Sequence, residues 1–144
     1  MSLLPDAGYT PTADELAEIH AWFAVYEKYS AEHRIESMAD VAVFPLNLVS
    51  DDSKGEGAAA QWDRKRFIDT MTQVMGGAGE DISFESTRTP VFLSPAMVIV
   101  FTDSVMTSGG EPQQLPRYAD ILIKRNGAWA FQTMIQSGWG ENLG

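Results

Sequence analysis

The chain has 144 residues, 44% of them hydrophobic, with 20 acidic and 10 basic side chains and a net charge of −10. That length reads as one domain, 1–144, with a core that needs no staples. The absence of cysteine excludes disulfides, thiolate-bound zinc and thiol catalysis. The acidic balance opposes a nucleic-acid or anionic-membrane surface, which takes clustered Lys and Arg.

No stretch has the length of a membrane span. The start lacks the basic and apolar regions of a secretory leader, so the expected compartment is the cytoplasm. Residues 1–11, with Pro5, Gly8 and Pro11, read as a surface lead-in. Thr12 and Glu15 then form a capping box. Leu16, Ile19, Phe23 and Tyr26 follow on one helical face, widened by Trp22, Val25 and Tyr29, so a first helix is expected over 12–31. A short helix at 33–39 follows, then a strand at 43–49 in which Pro45 suggests an edge or a bulge. The cluster from Asp51 to Gly55 is a turn, with a return strand at 57–62. Asp63 caps a third helix at 63–75, which Gly76, Gly77 and Gly79 stop.

After Gly79 the period becomes strand-like. Ile82, Phe84, Ser86 and Arg88 share one face, and Ser83, Glu85, Thr87 and Thr89 the other. Strands are expected at 82–93, 96–107, 114–125 and 128–138, the last two joined by Asn126-Gly127, a two-residue hairpin signal. Helices followed by a run of antiparallel strands indicate α+β. The strand at 96–107 is apolar on both faces. An antiparallel sheet with one face in water should alternate, so a second copy is expected on the outer face.

The order of these elements resembles the nuclear-transport-factor-2-like superfamily, which includes ketosteroid isomerases and SnoaL-type polyketide cyclases. The best-matching segments are Met38-Ala39-Asp40-Val41-Ala42-Val43-Phe44, Arg117-Tyr118-Ala119-Asp120-Ile121-Leu122 and the hairpin Asn126-Gly127-Ala128-Trp129-Ala130-Phe131. The resemblance covers nearly the whole chain. It implies a cone-shaped curved sheet wrapped around the first helix, an apolar pocket at its mouth and a homodimer. Aligned on Ala39-Asp40, the isomerases' general-base aspartate falls on Leu46, which cannot accept a proton. Their oxyanion tyrosine falls on Trp22, and their protonated aspartate falls near Asp120 with a one-residue gap.

Two aspartates stand inside apolar strands. By alternation Asp103 shares a face with Ile99, Phe101 and Val105, and Asp120 with Tyr118 and Leu122. A carboxyl among such neighbours has its pKa raised by desolvation and can serve as a general acid; paired with Arg88 or Arg117 it is a structural bridge instead. Asp120 and Asp103 are therefore the catalytic candidates. Trp22, Tyr26, Phe44, Trp62, Tyr118 and Met134 are the ligand-binding candidates, each also readable as core packing. His20 and His33, thirteen residues apart, form no metal motif. The acidic tip at 51–56 lacks calcium-loop spacing, and 76–79 follows a helix where a phosphate cradle would precede one. No metal or cofactor is expected. The function expected is binding of a small apolar or carbonyl-containing molecule, with acid/base isomerase or cyclase chemistry. The alternative is a non-catalytic binding or scaffold module of the same fold.

Overall fold

The computed structural model describes residues 9–76 and 82–143; the expected Gly77–Gly79 stop and most of the lead-in lie outside them. Helix α1 spans Ala13–Ala31. Its capping box is formed: the Glu15 N–H donates to Thr12 Oγ1 at 3.1 Å, and the Thr12 N–H donates to the Glu15 carboxylate at 2.9 Å. These bonds satisfy two of the backbone donors that a helix start leaves orphaned. Ile19 and Phe23, one turn apart, bury the face of α1. Helix α2, Ile35–Asp40, buries Met38 and Ala39. Helix α3, Arg64–Gly76, is capped by Asp63, whose carboxylate accepts from the Arg66 N–H at 2.8 Å, and it buries Phe67 and Met71.

The strands are β1 Ala42–Asp51, β2 Gly57–Trp62, β3 Ile82–Ser94, β4 Met97–Ser108, β5 Glu111–Gln114, β6 Tyr118–Arg125 and β7 Ala128–Ile135. They form one curled sheet in the order β2-β1-β7-β6-β4-β3, with β5 paired to β4. The four long strands expected at the C-terminal end are antiparallel neighbours. Asn126 and Gly127 join β6 to β7 with φ of 53° and 80°, the two left-handed residues of a type I′ turn.

Two expectations need correction, and a third, the edge or bulge at Pro45, is decided. The strand expected at 114–125 is two strands. Pro116 has no N–H for the ladder, and the chain leaves the sheet at 115–117, so β5 pairs with one end of β4 and β6 with the other. The sheet is also mixed: β6 covers one edge of β7, and β1 pairs parallel along the edge that remains. Finally, Pro45 is not on an edge strand, since β1 lies between β2 and β7. It falls where the β1–β7 register shifts between Ala42 and Asn47, which is the bulge alternative.

The inner face of the sheet carries the core. Val98, Val100, Thr102 and Ser104 alternate inward along β4, and Leu122 and Asp120 lie beside them on β6. Helix α1 lies on this face through an aromatic cluster: Trp22, Phe23 and Tyr26 all set their rings edge-on to Phe131 of β7, with centroids at 4.7, 6.1 and 4.8 Å. The C-terminal segment folds back over the β1–β2 hairpin. The Trp62 indole N–H donates to Leu143 O at 3.1 Å, and a Cβ on Gly140 would meet the Asp51 backbone at 2.7 Å, so only glycine permits this approach.

Candidate functional site

The rows of the sheet decide what Asp120 meets. Across the inner face, Pro90, Val100, Asp120, Met134 and Leu48 stand opposite one another on successive strands. The adjacent row is Arg88, Thr102 and Tyr118. Asp120 is 5% exposed. Among the described residues no hydrogen bond or ion pair reaches its carboxyl. Burial pushes its pKa up to about 7, against a smaller opposing pull from the Arg88 charge. Tyr26 is pushed up as well, by burial first and then by the charge of Asp120. A carboxyl, two phenols (Tyr26 and Tyr118) and a guanidinium thus lie close together on the inner face of the sheet, toward α1.

Arg88 does not neutralise Asp120, because its guanidinium is committed elsewhere. It lies over the Phe23 ring, 4.4 Å from the centroid, and its Nη1 bonds to Glu27 on the next turn of α1. Arg88 Nε and Thr102 Oγ1 are buried without a hydrogen-bond partner among the described residues. Sequence reasoning named Arg88 only as a bridge partner and passed over Thr102. The signal was available in the alternation, which puts Thr102 in phase with Val98 and Val100 and Arg88 in phase with Ser86.

Asp103 is on the outer face with the exposed Phe101, and so is not brought together with Asp120. Arg117 holds it through two hydrogen bonds, at 2.8 and 3.1 Å, and this pairing lowers its pKa. The bridge reading fits Asp103 and the general-acid reading does not, since a carboxyl kept ionised has no proton to give.

The other candidates divide between the surroundings of Asp120 and the scaffold. Tyr26 lies within electrostatic range of both Asp120 and Tyr118, and Met134 stands opposite Asp120 across the β6–β7 ladder. Trp22 stacks on Tyr26 with centroids 5.6 Å apart, but its indole N–H donates to Trp129 O at 3.0 Å and is not free for a ligand. Phe44 sets its ring 5.9 Å from Phe67, and Trp62 is buried under Leu143, so both serve packing. Leu46 is completely buried opposite Trp62. Its neighbour Asn47 is bonded instead to Gln61 at 2.9 Å and to Thr133 at 3.5 Å. His20 and His33 are exposed, and among the described residues no group of three His, Asp or Glu side chains could hold a metal ion.

Two open concavities of about 410 Å³ each are lined by Tyr26 and by Tyr118 respectively, and neither is lined by Asp120, Arg88 or Thr102. One runs beside α1 along Trp22, Tyr26, Tyr29 and Trp129. The other is on the outer face, between Val49, Phe101, Arg117 and Ile135. That face also exposes Val91, Leu93 and Met97.

No protein-family model matches the sequence, and no curated protein matches it. Solved structures do. An NTF2-like protein of unknown function from Pseudomonas putida KT2440 is 12% identical with a TM-score of 0.71, over 90% of this chain and 89% of that one. A protein from Novosphingobium aromaticivorans, provisionally named scytalone dehydratase, is 19% identical with a TM-score of 0.60, over 86% of each chain. A protein from Catenulispora acidiphila in complex with S-DNPA is 14% identical with a TM-score of 0.60, over 88% of this chain and 94% of that one. The chain has the NTF2-like, cystatin-like α+β fold.

Proposed function

We propose that the protein binds a small, largely apolar molecule carrying a carbonyl or hydroxyl oxygen on the inner face of the sheet, and that Asp120 exchanges a proton with it. The observation that carries this reading is the placement of Asp120: buried beside Tyr26, without an ion-pair partner, and titrating near neutral pH. In its neutral form the carboxyl donates a hydrogen bond or its proton to a ligand oxygen; in its ionised form it accepts a proton. A pKa near 7 makes both forms available to one catalytic cycle. Tyr26 and Tyr118 supply orienting hydroxyls, and Phe131 with the α1 aromatics supplies the apolar wall. The neighbours provisionally named scytalone dehydratase and bound to S-DNPA support a small-molecule role for such a site.

A second reading is a binding module without turnover. Leu46 favours it, because the place of the isomerases' base is a fully buried leucine and Asp120 would have to act alone. Asp120→Asn keeps a hydrogen-bond donor and removes the titration, whereas Asp120→Leu removes both. Turnover lost in both variants while Asp120→Asn still binds ligand supports catalysis. Binding that is indifferent to Asp120→Leu overturns both readings.

The assembly proposed is a homodimer through the outer face, where Val49, Val91, Leu93, Met97 and Phe101 are exposed. Sedimentation at micromolar concentration tests this: a stable monomer would contradict it.

A further inference from the structure

Among the described residues three buried polar side-chain atoms have no hydrogen-bond partner; one is Trp129 Nε1 on β7, and the other two, which face each other across the β3–β4 ladder, are Arg88 Nε and Thr102 Oγ1. We infer that Arg88 Nε and Thr102 Oγ1 form a second binding pole of the ligand site, which holds one uncharged acceptor oxygen of the ligand, a carbonyl or a hydroxyl, beside Asp120. The inference rests on the ligand site proposed above and narrows what it accepts.

Arg88 and Thr102 are directly opposed across the β3–β4 ladder. Opposed residues of an antiparallel pair bring their Cβ atoms to about 5 Å, so a single oxygen can meet both side chains. Thr102 is fully buried. A buried hydroxyl or N–H with no partner costs about 1–3 kcal/mol, so the fold gains nothing by keeping either group unpaired. Valine would fill the Thr102 site without that penalty. The pair makes physical sense as a site that is completed by a ligand.

The chemistry of the two groups sets the class of atom. An arginine Nε–H only donates, so the atom it meets must be an acceptor; the threonine hydroxyl can donate to the same atom. Charge then selects against anions. The Arg88 guanidinium is already neutralised by Glu27 through Nη1, and the neighbouring Asp120 is neutral or negative. The pole therefore offers two hydrogen bonds but no net positive charge, which suits a ketone or alcohol and disfavours a carboxylate. Asp120 is the diagonal neighbour of Thr102, since Thr102 faces Tyr118 two residues before it. Diagonal neighbours are about 7–8 Å apart at Cα. The atom that exchanges a proton with Asp120 thus stands within a few bonds of the held oxygen and is distinct from it.

The Arg88 Nε–H is an NMR-observable group, and the probes are the bicyclic ketone tetralone, its oxygen-free parent tetralin, and naphthoate, an anion of similar shape. Saturating tetralone should move the Arg88 Nε–H resonance, and tetralin should not. Thr102→Val should weaken tetralone binding about tenfold, the worth of one neutral hydrogen bond, while leaving the denaturation midpoint of the free protein unchanged or raised. Arg88→Lys keeps the charge and loses Nε–H, and should weaken tetralone by roughly ten- to a hundredfold. Four results overturn the inference: an unmoved Nε–H resonance, naphthoate binding better than tetralone, no tetralone binding at millimolar concentration, or a Thr102→Val protein that is destabilised yet binds normally. Asp120→Leu separates this from the parent reading. If only Asp120→Leu abolishes tetralone binding, the ligand site stands and the second pole falls. If only the Arg88 and Thr102 variants weaken it, the pole stands and the role of Asp120 falls.

Discussion

The two faces of the sheet hold two aspartates of opposite character. Asp103 follows an apolar run on β4 and Asp120 precedes one on β6, and each has an arginine within electrostatic range. On the outer face Arg117 reaches Asp103 and keeps it ionised. On the inner face Arg88 is drawn off by Glu27 and Phe23, and burial outweighs its pull on Asp120. The contrast shows that a neighbouring cation does not by itself settle a carboxylate's state. What matters is whether the cation's hydrogen bonds are already spent.

Packing gives the largest difference between the faces. Phe131→Ala removes the ring on which Trp22, Phe23 and Tyr26 converge and should cost about 3–5 kcal/mol. Phe101→Ala, on the outer face, should cost under about 1 kcal/mol within one subunit while weakening any dimer. Denaturant unfolding at several protein concentrations checks both. Comparable losses would erase the distinction between core face and interface face.

The pH dependence of stability sharpens the comparison further. The folded protein holds the Asp120 proton to about pH 7, whereas the unfolded chain releases it near 3.8. Asp120's contribution to stability is therefore complete below the unfolded value and is lost as pH rises through the folded one. With about 1.4 kcal/mol per unit, the loss is roughly 4 kcal/mol between pH 4 and 8. Arg88 and Tyr26 lie within electrostatic range of this carboxyl, and the Arg88 charge opposes the shift. Asp120→Asn should flatten this slope. Asp103 runs in the other direction: its lowered pKa means that stability is lost as pH falls through its folded value. Asp103→Asn should leave the slope between pH 4 and 8 intact, and a flattened slope would transfer the effect to the wrong face.

The smallest effect is expected at the Asp103–Arg117 pair itself. Arg117→Ala should not measurably change the denaturation midpoint, since exposed ion pairs gain little over their separate hydration. A large loss would mean that the bridge organises the 115–117 break between β5 and β6.

Much of this arrangement was legible in the sequence because it is local. The Thr12–Glu15 box, the Asp63 cap and the Asn126-Gly127 turn all depend on residues within a few positions of one another, whereas which face each of Asp103 and Asp120 takes depends on how the sheet folds around α1. The parallel pairing of β1 with β7 was not legible, because it is decided by which edge remains open once β6 has docked. Nor were the surroundings of Arg88. Arg88 points inward by alternation, but that its charge would be met by Glu27, 61 positions away, depends on how α1 lies across the sheet. Trp22 illustrates the same limit: its position on α1 is evident from the periodicity, while the bond that occupies its indole N–H is made to Trp129 on β7.

The state of Asp120 is the point on which the account turns. A side-chain carbon-13 NMR titration with aspartate-labelled protein reads it directly. A carboxyl resonance absent from the Asp120→Asn spectrum should titrate near pH 7, well above the other aspartates. If that resonance instead titrates at or below pH 4, Asp120 is ionised throughout the neutral range, and the inner face holds a buried charge in place of an acid.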